Sequence, residues 1–475
     1  MRISKVLIAT ILALTMVLVG ALGVSAQSGT WVSGIMIQNQ SETEIAHITV
    51  TFWWAEGTAN AGQMAHQFND EIAAGKSKSY YVPTSAMTAG LPADFVGSAV
   101  VSSDQPVAAN LNTQLPSDLG GDPANPMRMG TASGVLEPAP KLYFTQVMKN
   151  YWGWNSYIAV QNTGADTANV TVRYFSDATG AQVTTESGAI HPYSTKIFRQ
   201  SEVGALPNDW AGSAVVEAAD NKPLAGVANF FADGTPYADA MFQSYNAASA
   251  GATKLYVPRL VKGYYGYQGG LKIQNVGTAP TNVTISYRFG ANTYTQTISN
   301  LGANQAVGLY MGTPSHVPPL AGVSGSGSAV IESSGQPIIA TVNEDERTSG
   351  LGVTYNAIPD GAQTNAVLFP QITAKYYGFS GGLQVQNVGG SATTVTAVFS
   401  MQGRTDVVAT ASVPSMGSAS WFAPNIVAPD FNGSVVVSAP QPLVGIGNGS
   451  YRYDWDNRYG VKYGDSFTTY NGINK

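Results

Sequence analysis

The chain has 475 residues, of which only 11% are charged, with 52 Gly, 25 Pro and no Cys. A single core stops growing near ~250–300 residues, so several domains are required, and the low charge excludes both a coiled coil and a charged disordered chain. The net charge of -6 comes with Lys and Arg scattered singly, a pattern that excludes nucleic acid as an expected partner.

Residues 1–26 read as a signal peptide. Arg2 and Lys5 precede an unbroken apolar run from Val6, and Val24-Ser25-Ala26 offers small residues for cleavage after Ala26. A membrane anchor is the competing reading, but no basic stop-transfer cluster follows the run. Without Cys there is neither a disulfide framework nor a lipid-modified cysteine, so cores alone must supply stability. After residue 26 no segment is apolar enough over a sufficient length to span a membrane. The mature chain is therefore expected to be secreted, extracellular or held at the cell surface, with no membrane span.

The remainder repeats itself four times. A Gln-Asn pair ends an apolar strand at Gln38-Asn39, Gln161-Asn162, Gln274-Asn275 and Gln386-Asn387, spaced 123, 113 and 112 residues apart. Eight residues before each Asn stands an aromatic residue: Trp31, Trp154, Tyr267 and Phe379. Beyond each pair a period-2 segment begins, with Ile48, Val50 and Phe52 in the first copy and Val283, Ile285 and Tyr287 in the third, the mark of a half-buried strand. A segment with Pro and a closing aromatic, Phe95, Trp210 or Phe431, is expected to plug one end of the core. A Gly-Ser before an apolar triplet follows, at Gly97-Ser98, Gly212-Ser213, Gly327-Ser328 and Gly433-Ser434, then a Pro (Pro106, Pro223, Pro337, Pro442). That pattern predicts a β-hairpin with Pro opening its second strand, where no ladder donor is lost. Six residues after each Pro comes an Asn, and the chain beyond Asn112, Asn229, Asn343 and Asn448 differs in every copy, as expected of loop tips.

Strand-like linkers starting at Lys141, Lys254 and Val367 end in aromatic-glycine turns, and Tyr-Asn pairs occur at Tyr245-Asn246, Tyr355-Asn356 and Tyr470-Asn471. The expected architecture is all-β: four tandem antiparallel β-sandwich domains of immunoglobulin-like or Greek-key type, at 27–138, 139–251, 252–364 and 365–475. A propeller is excluded by the period of about 112 residues, since blades need ~40–50.

The set of KLYVP, aromatic-glycine turn, VQN, GSAVV and PLAGVAN is similar to tandem adhesion-related β-sandwich repeats of secreted bacterial proteins of unassigned function. The resemblance implies fold and export. It implies no activity, because such repeats serve as surface, adhesive and scaffold proteins alike.

Candidate sites are few. His47, His66, His191 and His316 fall at unrelated places in the copies, and no HExxH, GxSxG or phosphate-cradling loop occurs, so the chain reads as a non-enzyme without cofactor. Asp94, Asp209 and Asp430 recur in one turn and read as local caps. The turns Tyr151-Trp152-Gly153-Trp154, Tyr264-Tyr265-Gly266-Tyr267 and Tyr376-Tyr377-Gly378-Phe379 are read as packing between consecutive domains, with sugar contact through Trp152, Trp154, Tyr265, Tyr267, Tyr377 and Phe379 as the alternative. Tyr453 and Trp455 mark a second candidate binding tip. Asp454, Asp456 and Asn457 resemble the start of a calcium loop but lack its spaced third acid and distant Glu, so no metal is assigned.

Asn39, Asn162, Asn275 and Asn387 are expected to cap the turn after their strand through left-handed backbone and a bond two residues on. The leading functional expectation is a structural or adhesive rod of the cell exterior, with surface glycan or protein as partner. The Leu-Tyr linker strand occurs three times for four copies, so one terminal copy should lack a strand, and head-to-tail strand addition between chains is expected.

Overall fold

The computed structural model describes residues 12–16, 31–82, 85–115, 127–232, 241–346, 350–451 and 464–475. They are all-β, with only single 3-10 turns as helix, and the sheets are antiparallel apart from one short contact. No helix among them is long and apolar enough to cross a membrane.

The strands run in chain order. The first copy contains β1 (Leu12–Met16), β2 (Val32–Asn39), β3 (Ala46–Trp54), β4 (Met64–Ile72), β5 (Ser77–Val82), β6 (Gly97–Ser103), β7 (Val107–Leu115) and β8 (Met127–Ser133). The second has β9 (Lys141–Lys149), β10 (Trp154–Asn162), β11 (Ala168–Ser176), β12 (Gln182–Ile190), β13 (Thr195–Arg199), β14 (Trp210–Ala218), β15 (Leu224–Ala232) and β16 (Phe242–Asn246). The third has β17 (Lys254–Tyr264), β18 (Tyr267–Asn275), β19 (Thr281–Phe289), β20 (Asn292–Leu301), β21 (Ala306–Tyr310), β22 (Gly325–Ser333), β23 (Ile338–Glu346), β24 (Leu351–Asn356) and β25 (Ile358–Pro359). The fourth has β26 (Thr364–Ala374), β27 (Phe379–Asn387), β28 (Thr393–Ser400), β29 (Val407–Val413), β30 (Ser418–Phe422), β31 (Phe431–Tyr451), β32 (Gly464–Asp465), β33 (Thr468–Asn471) and β34 (Ile473–Asn474).

The second copy shows the pattern. One sheet has the order β12-β11-β14-β9 and the other β13-β10-β15-β16. Leu142, Phe144, Val170, Val172, Tyr174 and Val216 of the first meet Ile158, Val160, Ala228 and Phe230 of the second in one core. Equivalent cores form in the other three copies. The period-2 segments do as expected: along β3 and β19 alternate residues are buried. The plugging aromatics also fall in place, with Trp210 edge-on to Tyr174 at 6.0 Å and Phe95 edge-on to Phe52 at 5.9 Å. The Gly of each Gly-Ser is required by close approach, since a Cβ at Gly212 would stand 2.3 Å from Phe175 O.

The expected hairpin is corrected. β14 pairs with β11 and β9, whereas β15 pairs with β10 and β16, so the turn before Pro223 carries the chain from one sheet to the other. In the fourth copy the crossing is continuous. The first part of β31 pairs with β26 and β28, and the rest with β27 and β33. Each Pro carbonyl accepts the N–H of the residue after a Gln-Asn pair, as in Thr163 to Pro223 and Val276 to Pro337, both 3.0 Å.

The rod is corrected as well. β8, β16, β24 and β33 begin at the same end of the molecule and lie against one another in cyclic order. Ser133 N–H donates to Asn246 Oδ1 (2.9 Å) and Asn246 Nδ2 to Ser133 O (2.7 Å). Asn356 Nδ2 donates to Asn246 O (2.6 Å), Asn471 Nδ2 to Asn356 O (2.7 Å), and Ser133 Oγ to Asn471 O (3.0 Å), which closes the circle. The four copies form a ring about a packed axis. Each axial Tyr turns back into its own core, where Tyr245 OH donates to Gln146 O (2.7 Å) and accepts from Gln146 N–H (2.9 Å). Asp465, fully buried, accepts from Phe242, Gly352 and Phe467 N–H, and burial pushes its carboxyl well above the usual carboxylate range.

Seams between neighbours reuse the repeated motifs. Ser98 Oγ donates to Tyr193 O (2.6 Å), Gln274 Nε2 to Ser213 Oγ (2.6 Å), and Ser328 Oγ to Met416 O (3.0 Å). Between the fourth and first copies the corresponding atoms, Ser434 Oγ and the Gln38 amide, are buried without a hydrogen-bond partner. An unmade buried hydrogen bond costs stability, and this seam has no chain continuity across it. Native-state hydrogen exchange should therefore be faster at turn residues 73–76 than at the equivalent residues 191–194 and 414–417. Equal protection would show that all four seams are alike.

Candidate functional site

The aromatic-glycine turns are two-residue hairpin turns. Tyr151 N–H donates to Trp154 O and Trp154 N–H to Tyr151 O, both 2.9 Å, and Tyr376 and Phe379 repeat the arrangement at 3.0 and 2.9 Å. Both central residues have positive φ: Trp152 53° and Gly153 84°, Tyr265 49° and Gly266 88°, Tyr377 47° and Gly378 83°. Turns of this kind ordinarily place Asn, Asp or Gly at the first central position. A bulky side chain in left-handed backbone costs about 1–2 kcal/mol, so each of the three described turns carries strain there.

The strained rings stay largely in solvent. Trp152 is 64% exposed, Tyr265 84% and Tyr377 55%. The expected burial of these rings in domain joints is thus corrected. The leading Tyr of each turn stands edge-on to the exposed ring, with centroids 6.5, 4.7 and 4.7 Å apart. In the second copy the Asp209 carboxylate accepts Trp152 N–H at 3.3 Å, so this Asp braces the aromatic turn besides turning its own segment. Below Tyr264 the Arg259 guanidinium lies 5.7 Å from the ring centroid.

Packing within and between copies belongs to the last aromatic position instead. Trp154 packs on Phe230 of its own copy, Tyr267 on Phe467, and Phe379 on Tyr451 in a cluster with Met127 and Met129 of the first copy. Trp31 packs on Phe242 of the second copy at 5.1 Å. The first copy's counterpart of the turn, from Gln27 to Thr30, lies outside the described residues, as do Tyr453, Asp454, Trp455, Asp456 and Asn457.

All three described turns lie at one end of the ring. Trp154 stands opposite Ala232, Gln268 opposite Asp345, and Phe379 opposite Tyr451. Beside these ends start the axial strands, with Phe242 opposite Phe231, Leu351 opposite Glu346, and Thr468 opposite Gly449. The ring therefore has an aromatic face. Sequence reasoning missed Asp209 and Arg259 as supports of that face, and the available signal was an aromatic-Gly pair standing where Asn-Gly would normally join two strands.

His47 Nδ1 donates to the Asp104 carboxylate at 2.7 Å in the open, which holds its imidazole above its ordinary range. His191 joins Glu56 of the first copy at 3.0 Å. Among the described residues no group of His, Asp and Glu is placed to hold a metal ion.

No family model matches the chain, and no curated protein does. Among solved structures, a Thermotoga maritima protein (1070) aligns at 16% identity over 23% of this chain and 94% of its own, with a TM-score of 0.20. The Anabaena sensory rhodopsin transducer aligns at 12% identity over 17% and 92%, with a TM-score of 0.16. A tetra-tandem repeat from the extending region of a large adhesion protein aligns at 11% identity over 94% and 95%, with a TM-score of 0.12. Adhesion repeats are thus among the weak structural neighbours, at TM-scores too low to argue from.

Proposed function

We propose that the protein is an exported, non-enzymatic adhesive ring of four β-sandwich domains, at 27–138, 139–251, 252–364 and 365–475, that holds surface glycan on its aromatic face. One observation carries the reading: three exposed aromatic rings sit on strained left-handed backbone at the same end of the molecule. Strain that persists on largely exposed rings is retained for another purpose, and flat exposed rings suit the apolar faces of sugar rings. A single ring offers weak affinity. Three on a rigid face bind a polymeric glycan far more tightly than a free sugar, because each later contact is intramolecular.

The test replaces Trp152, Tyr265 and Tyr377 by Asn, which accepts left-handed backbone. Each change should raise or leave unchanged the stability, by up to about 1 kcal/mol, while the triple variant loses at least tenfold in binding to immobilised polysaccharides that the parent retains. A folded triple variant that binds glycans as the parent does would overturn the proposal.

A further inference from the structure

The first copy opens differently from the other three. In the other copies the Leu-Tyr strand opens the unit and forms the edge beside the Gly-Ser strand: β9 on β14, β17 on β22 and β26 on β31. Among the described residues no strand of that sequence precedes Trp31. In its place β1 lies antiparallel on β6, with Leu14 opposite Val101 and Met16 opposite Ala99. Leu142 opposite Val216 and Phe144 opposite Ala214 occupy the same registers in the second copy.

Two features show that β1 is not a standard opening strand. Residues 17–31 separate it from β2, whereas only residues 150–153 separate β9 from β10. The lock is also missing. The axial Tyr245, Tyr355 and Tyr470 hydroxyls each bond the main chain of their own opening strand, at Gln146, Arg259 and Gln371, while Ala132 occupies that place in the first copy. Moreover, β1 lies inside the segment read as a signal peptide, which cleavage after Ala26 would remove.

We infer that the mature chain, beginning at Gln27, presents the β6 edge from Ala99 to Ser103 as a site for an extended segment of another protein. The inference rests on the export reading but not on glycan binding. An uncovered edge beside a core offers main-chain pairing along the strand and apolar sites at alternate residues, so the donor is a segment with apolar residues at every second position and no Pro among them. A second copy is a poor donor. Among the described residues β9, β17 and β26 are each paired within their own copy, and β34 is paired on β26.

The test uses the full mature chain, residues 27–475, and a labelled peptide of residues 141–149. Binding is expected at micromolar peptide, weakened at least tenfold by N-methylation at alternate residues, and absent in a chain that retains residues 1–26. Failure of the mature chain to bind, or equal binding by the chain that keeps its leader, would overturn the inference. So would a mature chain that self-associates and is not dissociated by the peptide, since the occupant would then be a second copy. Glycan binding measured on the same samples separates this outcome from that of the aromatic face.

Discussion

Replacing Asn275 by Ala should destabilise the third copy by about 3 kcal/mol, because a buried side chain gives up three main-chain hydrogen bonds at once. Asn275 is fully buried. Its Nδ2 donates to Ala279 O (2.8 Å) and Leu301 O (2.9 Å), and its Oδ1 accepts from Gly277 N–H (2.9 Å). Asn162 does the same with Asp166 O, Ile190 O and Gly164 N–H, and Asn387 with Ser391 O, Val413 O and Gly389 N–H. Asn39 differs by one residue, donating to Glu44 O and Ile72 O and accepting from Ser41 N–H. The bond two residues on is as expected from sequence. The left-handed backbone is not, since each Asn ends an extended strand and its side chain ties that strand to the far sheet. Hydrogen exchange along β18 and β20 in the whole protein reads the effect, with Asn292→Ala, at an exposed hairpin end, as the control. Protection unchanged from the parent would refute the bridging role.

What the sequence made legible was the repeat, and within it every feature set by local spacing. Alternation along β3 and β19 reports a face, and a face is a property of neighbouring residues. The sheet crossing escaped because β14 and β15 are each almost wholly buried, so their apolar runs look alike whether they pair or part. Ring closure escaped for another reason. It rests on Ser133, Asn246, Asn356 and Asn471, whose partners lie a whole copy away, and the first copy carries Ser where the others carry Asn. The aromatic turns were seen as units, yet their positions divide: Tyr267 and Phe379 pack, while Tyr265 and Tyr377 are exposed. Only backbone geometry separates them.

Removing one partner of the buried pair in the third copy should have the largest effect of all. Arg259 Nε and Nη2 engage the two oxygens of Glu344 at 2.7 and 2.5 Å, with both side chains largely out of solvent. Burial opposes the charge on Arg259, but Glu344 beside it outweighs this and holds the guanidinium above its ordinary value. Changing Glu344 to Gln leaves a buried cation unneutralised beneath Tyr264, and the expected cost is about 3–5 kcal/mol. The repeat itself supplies the compensating change. The second copy has Gln146 and Phe230 at the equivalent sites, and Phe230 is buried there. Arg259→Gln combined with Glu344→Phe should therefore recover more than half of the loss, because the desolvated charges disappear together. Denaturant unfolding of the single and double variants decides the matter. A double variant no more stable than Glu344→Gln would mean that the pair specifies the local packing rather than merely neutralising itself.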